Sequence, residues 1–173
     1  MKSFSIVVAI DEKNGIGKEG SLAWKLSADL KHFKELTSKA SEGKQNAVIM
    51  GRKTWDFLPA KFKPLPGRLN VVLSHNPSVQ LSAGVLLFSN LDNALKGVSS
   101  NSTVDKVFVI GGAQIYTKAL GHPSCQKLFV THIKGDFHCD TFLHLLPTVF
   151  KKIEESSWVS EGSIQYCFCQ YQK

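Results

Sequence analysis

Acidic side chains are scarce in this chain: 14 Asp and Glu stand against 21 Lys and Arg, a formal charge of +7. That balance draws anionic partners such as phosphates, polycarboxylates or nucleic acid, without choosing among them. Long apolar runs are also lacking. The stretch Phe4 to Ile10 is ended by Asp11 and Glu12, far too early for a signal peptide or a membrane span. A cytoplasmic protein with no membrane partner is therefore expected. Cysteines are few, and Cys125, Cys139, Cys167 and Cys169 contain no C-x-x-C pair and no histidine at zinc spacing. They read as free thiols in a reducing compartment, with no metal site expected. Neither the dinucleotide fingerprint G-x-G-x-x-G nor a P-loop is found, which disfavours a Rossmann dehydrogenase or a P-loop kinase. Internal repeats, low-complexity tracts and dividing linkers are missing too, so residues 1–173 are expected to form one domain.

What remains is ordinary globular usage, 43% apolar and 20% charged, in a chain long enough for a sizeable core. Strand-length apolar runs recur at Phe4–Ile10, Ala47–Met50, Leu69–Ser74, Val85–Phe88, Lys106–Ile110 and Leu128–Ile133. Helical segments are predicted between them, near Ala28–Ser38, Lys53–Leu58, Leu91–Val98 and Gln114–Leu120. The alternation predicts an α/β fold: a single domain with a central mixed, mainly parallel β-sheet flanked by helices. The more amphipathic Ile164 to Tyr171 would close the sheet as an antiparallel C-terminal edge strand.

Three segments carry chemical content. In Leu26-Ser27-Ala28-Asp29-Leu30-Lys31-His32-Phe33, Ser27 reads as an N-cap, which puts Asp29 in the first turn with Phe33 at i+4 on the same face. An acid there can simply complement the helix dipole. The preceding loop, Asn14 to Leu22, holds Gly15, Gly17 and Gly20 and suggests a mobile flap beside the acid instead. The second segment, Val109-Ile110-Gly111-Gly112-Ala113-Gln114-Ile115-Tyr116, is strand, Gly-Gly turn and helix start; it is either a tight turn or a place where bare amides meet a pyrophosphate. The third, Ile49-Met50-Gly51-Arg52-Lys53-Thr54-Trp55, repeats that logic with two cations and a hydroxyl, and reads as a phosphate site or a solvated basic turn. The second and third segments fall at carboxyl ends of predicted strands, where open α/β sheets bind ligands.

Taken in order with Val7-Val8-Ala9, Gly15-Ile16-Gly17, Leu22, Trp24, Pro64-Leu65-Pro66-Gly67-Arg68, Asn70-Val71-Val72-Leu73-Ser74, Thr131-His132-Ile133 and Asp140-Thr141-Phe142, these segments closely resemble the dihydrofolate reductase family over essentially the whole chain. The resemblance implies NADPH-dependent reduction of 7,8-dihydrofolate to 5,6,7,8-tetrahydrofolate in one-carbon metabolism and thymidylate supply, by an antifolate target that is typically monomeric when unfused. It implies that Asp29 grips the pterin N3 and 2-amino group, that Thr131 braces the acid, and that the Val7 and Ile110 carbonyls face the ring. Val8 and Tyr116 would border it, and Leu30, Phe33, Leu58 and Leu65 would pack the pterin and benzoyl rings. Arg68 would clamp the glutamate carboxylate with its bidentate fork. Leu22 and Trp24 would stand with Asp29 and Thr131 at the reacting end.

For the cofactor, the resemblance implies nicotinamide contacts at Ala9, Ile16 and Leu22, with Gly17, Lys18, Gly20 and Ser21 in the lid. Gly51, Arg52, Lys53 and Thr54 would hold phosphate together with Gly111, Gly112, Ala113, Gln114 and Ile115. Leu73, Ser74 and His75 would face the adenosine end, Ser74, His75 and Arg52 selecting NADPH over NADH. The chain departs from the family pattern at Ala23 and Ser27, where prolines are usual, and at Phe142-Leu143-His144, which lacks a proline.

Physical requirements agree: hydride transfer between stacked flat rings needs apolar walls, a lid and little water. Asp29 is the only acid in this constellation. At the N3 edge it lies too far from N5 to hand over a proton directly, so an ordered water beside Leu22 is expected to be the donor. Three other readings stay open. A basic nucleic-acid-binding module would need a continuous basic stripe, yet Arg52-Lys53 and Arg68 lie apart in sequence. A riboflavin-pathway reductase on the same fold would have no use for Asp29 or Arg68. An inactive folate binder would keep both.

Overall fold

The computed structural model describes residues 1–144 and 146–173. In chain order its elements are β1 (Phe4–Ile10), β2 (Gly15–Gly17), α1 (Ser27–Ser38), β3 (Gln45–Gly51), α2 (Arg52–Phe57), β4 (Arg68–Leu73), β5 (Leu86–Phe88), α3 (Leu91–Ser100), β6 (Val104–Val109), α4 (Ala113–Leu120), β7 (Cys125–Ile133), β8 (Thr141–Phe142), β9 (Lys151–Glu155), β10 (Val159–Glu161) and β11 (Ile164–Gln172). The main sheet runs β10-β11-β7-β1-β6-β3-β4-β5, with β9 also on β11. Pairing from β7 across to β5 is parallel. As the sequence predicts, the C-terminal strand β11 runs antiparallel to β7, and the short strands β9 and β10 flank its outer side.

The burial pattern explains the layers. Along β1 buried and half-buried residues alternate, whereas Asn46 to Met50 of β3 are buried without a break, as suits a strand covered on both faces. On one face, Leu91, Ala94, Leu95 and Val98 of α3 and Tyr116, Ala119 and Leu120 of α4 pack on Ile6, Val8, Ile49 and Val109. On the other, Trp55 of α2 and Phe33 and Leu36 of α1 pack on Val48, Met50, Val72 and Phe108. Trp24, Leu26, Ile133 and Tyr166 form a third cluster at the start of α1.

One local expectation is corrected and a second extended. Ser27 is not the N-cap of α1; Leu26 is, and it has no side chain able to cap. The cap arrives from β10: the Glu161 carboxylate accepts from the Ser27 amide (2.8 Å), the Ser27 hydroxyl (2.9 Å) and the Ala28 amide (3.0 Å). An anion against exposed helix amides satisfies them and complements the dipole, and the bonds hold the Glu161 carboxyl below its ordinary range. The second concerns the flap glycines, which also sit where a side chain would not fit. A Cβ on Gly15 would lie 2.5 Å from the Cys139 Cβ, one on Gly17 2.8 Å from the Ser21 carbonyl oxygen, and one on Gly20 2.1 Å from the Phe57 ring. Glu19 and Gly20, at φ 51° and 79°, close a two-residue hairpin between Lys18 and Ser21.

Candidate active site

Helix α1 presents one functional stripe. Asp29, Phe33 and Thr37 stand at i, i+4 and i+8, so they share a face and span about 12 Å at 1.5 Å per residue. At the first position, the half-buried Asp29 carboxylate accepts a 2.6 Å bond from the Thr131 hydroxyl of β7. Burial pushes its pKa up, against the opposing pull of the Thr131 bond and the His32 charge. At the last position, Thr37 is fully buried, and its hydroxyl donates to the Phe33 carbonyl (2.7 Å) while accepting from Arg68 Nη1 (2.9 Å). Between them the Phe33 ring lies 5.8 Å from the Arg68 guanidinium carbon. The helix therefore joins an acid, an aromatic wall and an arginine mount in one line.

Arg68 is the unusual member. Only 7% of its surface is exposed, and loss of solvent lowers its pKa with no acid to offset it. Its Nε bonds to the Pro66 carbonyl at 3.0 Å. A buried guanidinium costs several kcal/mol of solvation unless an anion compensates it. Here neutral groups fix its direction and, among the described residues, no carboxylate pairs with it, which leaves its charge for a ligand. The buried Asn70 braces this turn, bonding the Leu65 amide and carbonyl and the Arg68 carbonyl.

The apolar lining gathers around the stripe. Val7, Phe33, Leu58, Leu65 and Ile110 join one cluster with Trp55. Leu30 and Leu22 stand outside the core, 56% and 48% exposed. Val8 points the other way, into the α3 and α4 core, so only its backbone faces this side. Leu73 is likewise a core residue, 6% exposed. Tyr116 is buried and donates to the Val7 carbonyl at 2.8 Å. Burial first and the Asp29 charge second raise its phenol pKa, so it remains a hydrogen-bond donor. Trp24 packs edge-on against Phe137, and its buried Nε1 has no partner among the described residues.

At the strand ends beyond Ala9, two helices converge. Gly51 and Gly112 are the N-caps of α2 and α4, and neither offers a side-chain cap. The Gly51 amide bonds the Gly111 carbonyl at 2.8 Å, through a turn whose Gly111–Gly112 peptide is cis. A Cβ on Gly51 would meet Ile115 at 3.2 Å, and one on Gly112 would meet Thr54 Oγ1 at 3.3 Å. Facing helix starts with bare amides make an anion cradle, and these glycines keep it open. Lys53 and Gln114 are exposed nearby, and Ala113 is half-buried. Arg52 is not a free cation: its Nε bonds both Asp56 oxygens, at 2.8 and 2.9 Å. Ser74 accepts from the Asn76 amide (3.1 Å), and His75 is exposed in the same turn.

The Gly15–Ser21 segment is anchored by a residue that sequence reasoning passed over. Asp11 is 3% exposed and accepts from the Lys13, Gly15 and Phe137 amides at 2.9, 2.7 and 3.1 Å. It thereby ties the start of the Gly15–Ser21 segment, with Ile16 and Gly17, to the loop before β8. Glu161, Thr37 and Asn70 were passed over as well. Of these only Thr37, at i+8 from Asp29, carried a periodic signal. His132 lies across the sheet from Asp29 and bonds the Tyr171 hydroxyl at 2.9 Å, consistent with its reading as a non-catalytic strand residue.

Comparison with known proteins follows the same lines. The family model described as dihydrofolate reductase matches residues 3–173. The chain is 42% identical over 177 residues to the bifunctional dihydrofolate reductase-thymidylate synthase of Daucus carota, an alignment covering 98% of this chain and 34% of that protein. It is 40% identical to the dihydrofolate reductase of Heliothis virescens, covering 98% and 96% of the two chains. The chain thus spans about a third of the bifunctional relatives and nearly all of the single-function one. Among solved structures, Schistosoma mansoni dihydrofolate reductase superposes with a TM-score of 0.86 at 35% identity, covering 99% of this chain and 98% of that one.

Proposed function

The chain belongs to the dihydrofolate reductase family, and from that premise we propose that it reduces 7,8-dihydrofolate to 5,6,7,8-tetrahydrofolate with NADPH, serving one-carbon metabolism. The observation that carries this reading is the α1 stripe: an acid and, about 12 Å further along the helix, the Thr37 mount of an arginine that pairs with no acid among the described residues, with an aromatic wall between them. A ligand to match has a hydrogen-bond-donating flat ring at one end, an aromatic middle and a carboxylate at the other. A nucleic-acid backbone, with anions repeating along it, does not fit an acid at one pole. A pyrimidine substrate lacking the carboxylate tail leaves Arg68 without a partner.

Asp29 takes the N3 and 2-amino edge of the pterin, and Thr131 fixes the orientation of the carboxylate. Phe33, Leu58 and Leu65 sandwich the rings, with Leu30 completing the exposed rim, and Arg68 binds the glutamate carboxylate. The Val7 and Ile110 carbonyls and Tyr116 close the inner edge of the pocket. The residues around Gly51–Thr54 and Gly111–Ile115 fit a pyrophosphate, since a Cβ would crowd the space between the two helix starts. Ala9, Ile16 and Leu22, with Gly17–Ser21 in the lid, form the apolar place for a nicotinamide, and Ser74, His75 and Arg52 lie toward the 2′-phosphate. When bound, NADPH supplies the hydride delivered to C6. The protein's share is to exclude water, hold the two rings face to face and supply the N5 proton. A water beside Leu22 carries that proton, while Asp29, whose burial favours its protonated form, polarises the pterin; Trp24 offers a donor without a partner among the described residues at the same end.

We extend the proposal to a cytoplasmic monomer, one domain over residues 1–173, that is inhibited by antifolates. No described helix is long and apolar enough to cross a membrane. The deciding experiment follows NADPH oxidation by absorbance with and without 7,8-dihydrofolate, and repeats it with NADH. Dihydrofolate-dependent oxidation, faster with NADPH, is the expected result. Tight dihydrofolate binding without turnover would replace the reductase with an inactive folate binder, and equal rates with both nucleotides would remove Ser74, His75 and Arg52 from cofactor choice.

A further inference from the structure

On the sheet face away from Asp29, β11 places two thiols side by side. Cys167 and Cys169 are separated by two positions of one strand and so point the same way, and their sulfurs are 3.9 Å apart. In register, Cys167 faces His132 of β7, and Cys169 faces Glu155 of β9. One oxygen of Glu155 and the two sulfurs all lie within 4.8 Å of one another. A cavity of about 290 Å³ reaches this cluster, bordered also by Asp11, His132, Lys152 and Trp158. The pterin reading makes no use of any of these side chains except Asp11, whose carboxylate serves the lid.

We propose that Cys167, Cys169 and Glu155 form a binding site for one thiophilic divalent cation of the zinc class. The sulfur spacing suits a bound ion better than a disulfide. Two thiolates on a tetrahedral zinc, each about 2.3 Å from the metal, sit about 3.8 Å from each other. The observed separation already matches that bite, so chelation requires almost no backbone movement. A direct S–S bond of about 2.05 Å would instead pull the sulfurs together by nearly 2 Å within a strand that is paired on both sides. Glu155 supplies the third ligand, since one of its oxygens already lies within 4.8 Å of both sulfurs and its only ion pair among the described residues is the half-exposed one with Lys152. The cavity leaves a fourth position for water. On binding, each thiol loses its proton to solvent as its sulfur bonds the metal, and Glu155 exchanges its ion pair with Lys152 for the metal. Burial keeps both thiols protonated otherwise, Cys169 being pushed up to about 12, so the pair is a poor nucleophile and depends on the cation's charge to ionise.

The test uses the full chain, reduced with a phosphine and freed of metal by chelation. Titration with Co²⁺, a spectroscopic stand-in for zinc, is expected to saturate at one equivalent with a sulfur-to-cobalt charge-transfer band. Zn²⁺ should displace it and protect Cys167 and Cys169, but not Cys139, from alkylation followed by mass spectrometry. The band should vanish in Cys167→Ser/Cys169→Ser and persist in Cys139→Ser, and Glu155→Gln should bind about tenfold more weakly. Absence of the band at saturating Co²⁺, its survival in the double variant, or unprotected thiols under Zn²⁺ would each overturn the site. Should the double variant fail to fold, protection in the unaltered chain and the effect of exposed Glu155 still decide the matter. None of these readouts depends on dihydrofolate turnover, so the site and the reductase reading stand or fall separately.

Discussion

The two arginines of the candidate site, Arg68 on the α1 side and Arg52 at the start of α2, are set up in contrary ways. Arg68 is 7% exposed, mounted on Thr37 and Pro66, and faces no acid. Arg52 is half-exposed and already commits its Nε to Asp56. The same split runs through their surroundings. The α1 side is built from side chains, buried and individually braced: Asp29 by Thr131, Arg68 by Thr37 and Pro66. The α2 and α4 side is built from backbone, with two uncapped helix starts kept open by glycines. A desolvated charge is strong and specific but costly to hold, whereas amide dipoles offer a cheaper grip on any phosphate. Substitutions on the first side should therefore cost far more than those on the second.

The largest effect is expected at Asp29. Asp29→Asn keeps the shape and can still accept from Thr131, but it has no titratable proton to take up or release, and turnover should fall by roughly 10²- to 10⁴-fold. The sign for stability is the opposite. Burial raises the folded-state pKa, so the stabilisation linked to this proton is complete below the unfolded value of about 3.9 and is lost as pH rises through the folded pKa. At neutral pH the ionised acid is a liability, and the variant should melt at a higher temperature than the parent. The rate of the parent should decline as pH rises past that same raised pKa, a slope the Asn variant should lack. A variant that is active, or less stable at neutral pH, would mean that Asp29 only complements the helix dipole.

Next comes Arg68→Lys. A lysine keeps the charge but cannot use the Thr37 and Pro66 mounts while presenting a planar fork. The KM for dihydrofolate should rise roughly 10- to 100-fold with kcat little changed. A reduced pterin without the benzoylglutamate tail should react equally well with both proteins. Loss of rate on that truncated substrate would place Arg68 in the scaffold rather than at the carboxylate.

How much of this was visible in the chain itself follows the same divide. The sheet was legible because Val107 to Ile110 and Val71 to Leu73 are apolar runs of strand length, and Asp29 stood out as an acid set in an apolar helix face, whereas Arg68 entered only through the family resemblance. The two glycine sites were legible from strand-glycine-helix order. The supports were not. Glu161 caps a helix that begins 134 residues earlier, and Asp11 gathers amides from residues as far away as Phe137. Such pairings are fixed by topology, and no local spacing encodes them. Ser27 shows the hazard of reading locally: its residue type suits an N-cap, yet the α1 amides are satisfied from β10. The Cys167–Cys169 pair escaped zinc-spacing rules for the same reason, because its third ligand comes from β9.

The smallest expected effect is the one that best separates the two sides of the cleft. The Arg52–Asp56 pair joins exposed groups one helical turn apart, an arrangement worth no more than about 1 kcal/mol. A 2′-phosphate arriving at Arg52 competes with Asp56 for the same guanidinium, so the ion pair weakens NADPH binding by a similar small amount. Asp56→Asn should then lower the KM for NADPH about two- to threefold, and Arg52→Gln should raise it by a comparable factor. NADH, which has no 2′-phosphate, should be indifferent to both, and added salt should shrink the NADPH effects. Equal changes for the two nucleotides would show that this arginine serves helix α2 alone, leaving Ser74 and His75 to discriminate. Either result bears on the contrast with Arg68: a guanidinium held in water by a neighbouring acid can tune a preference, but only one kept dry and without a counterion can hold a substrate in place.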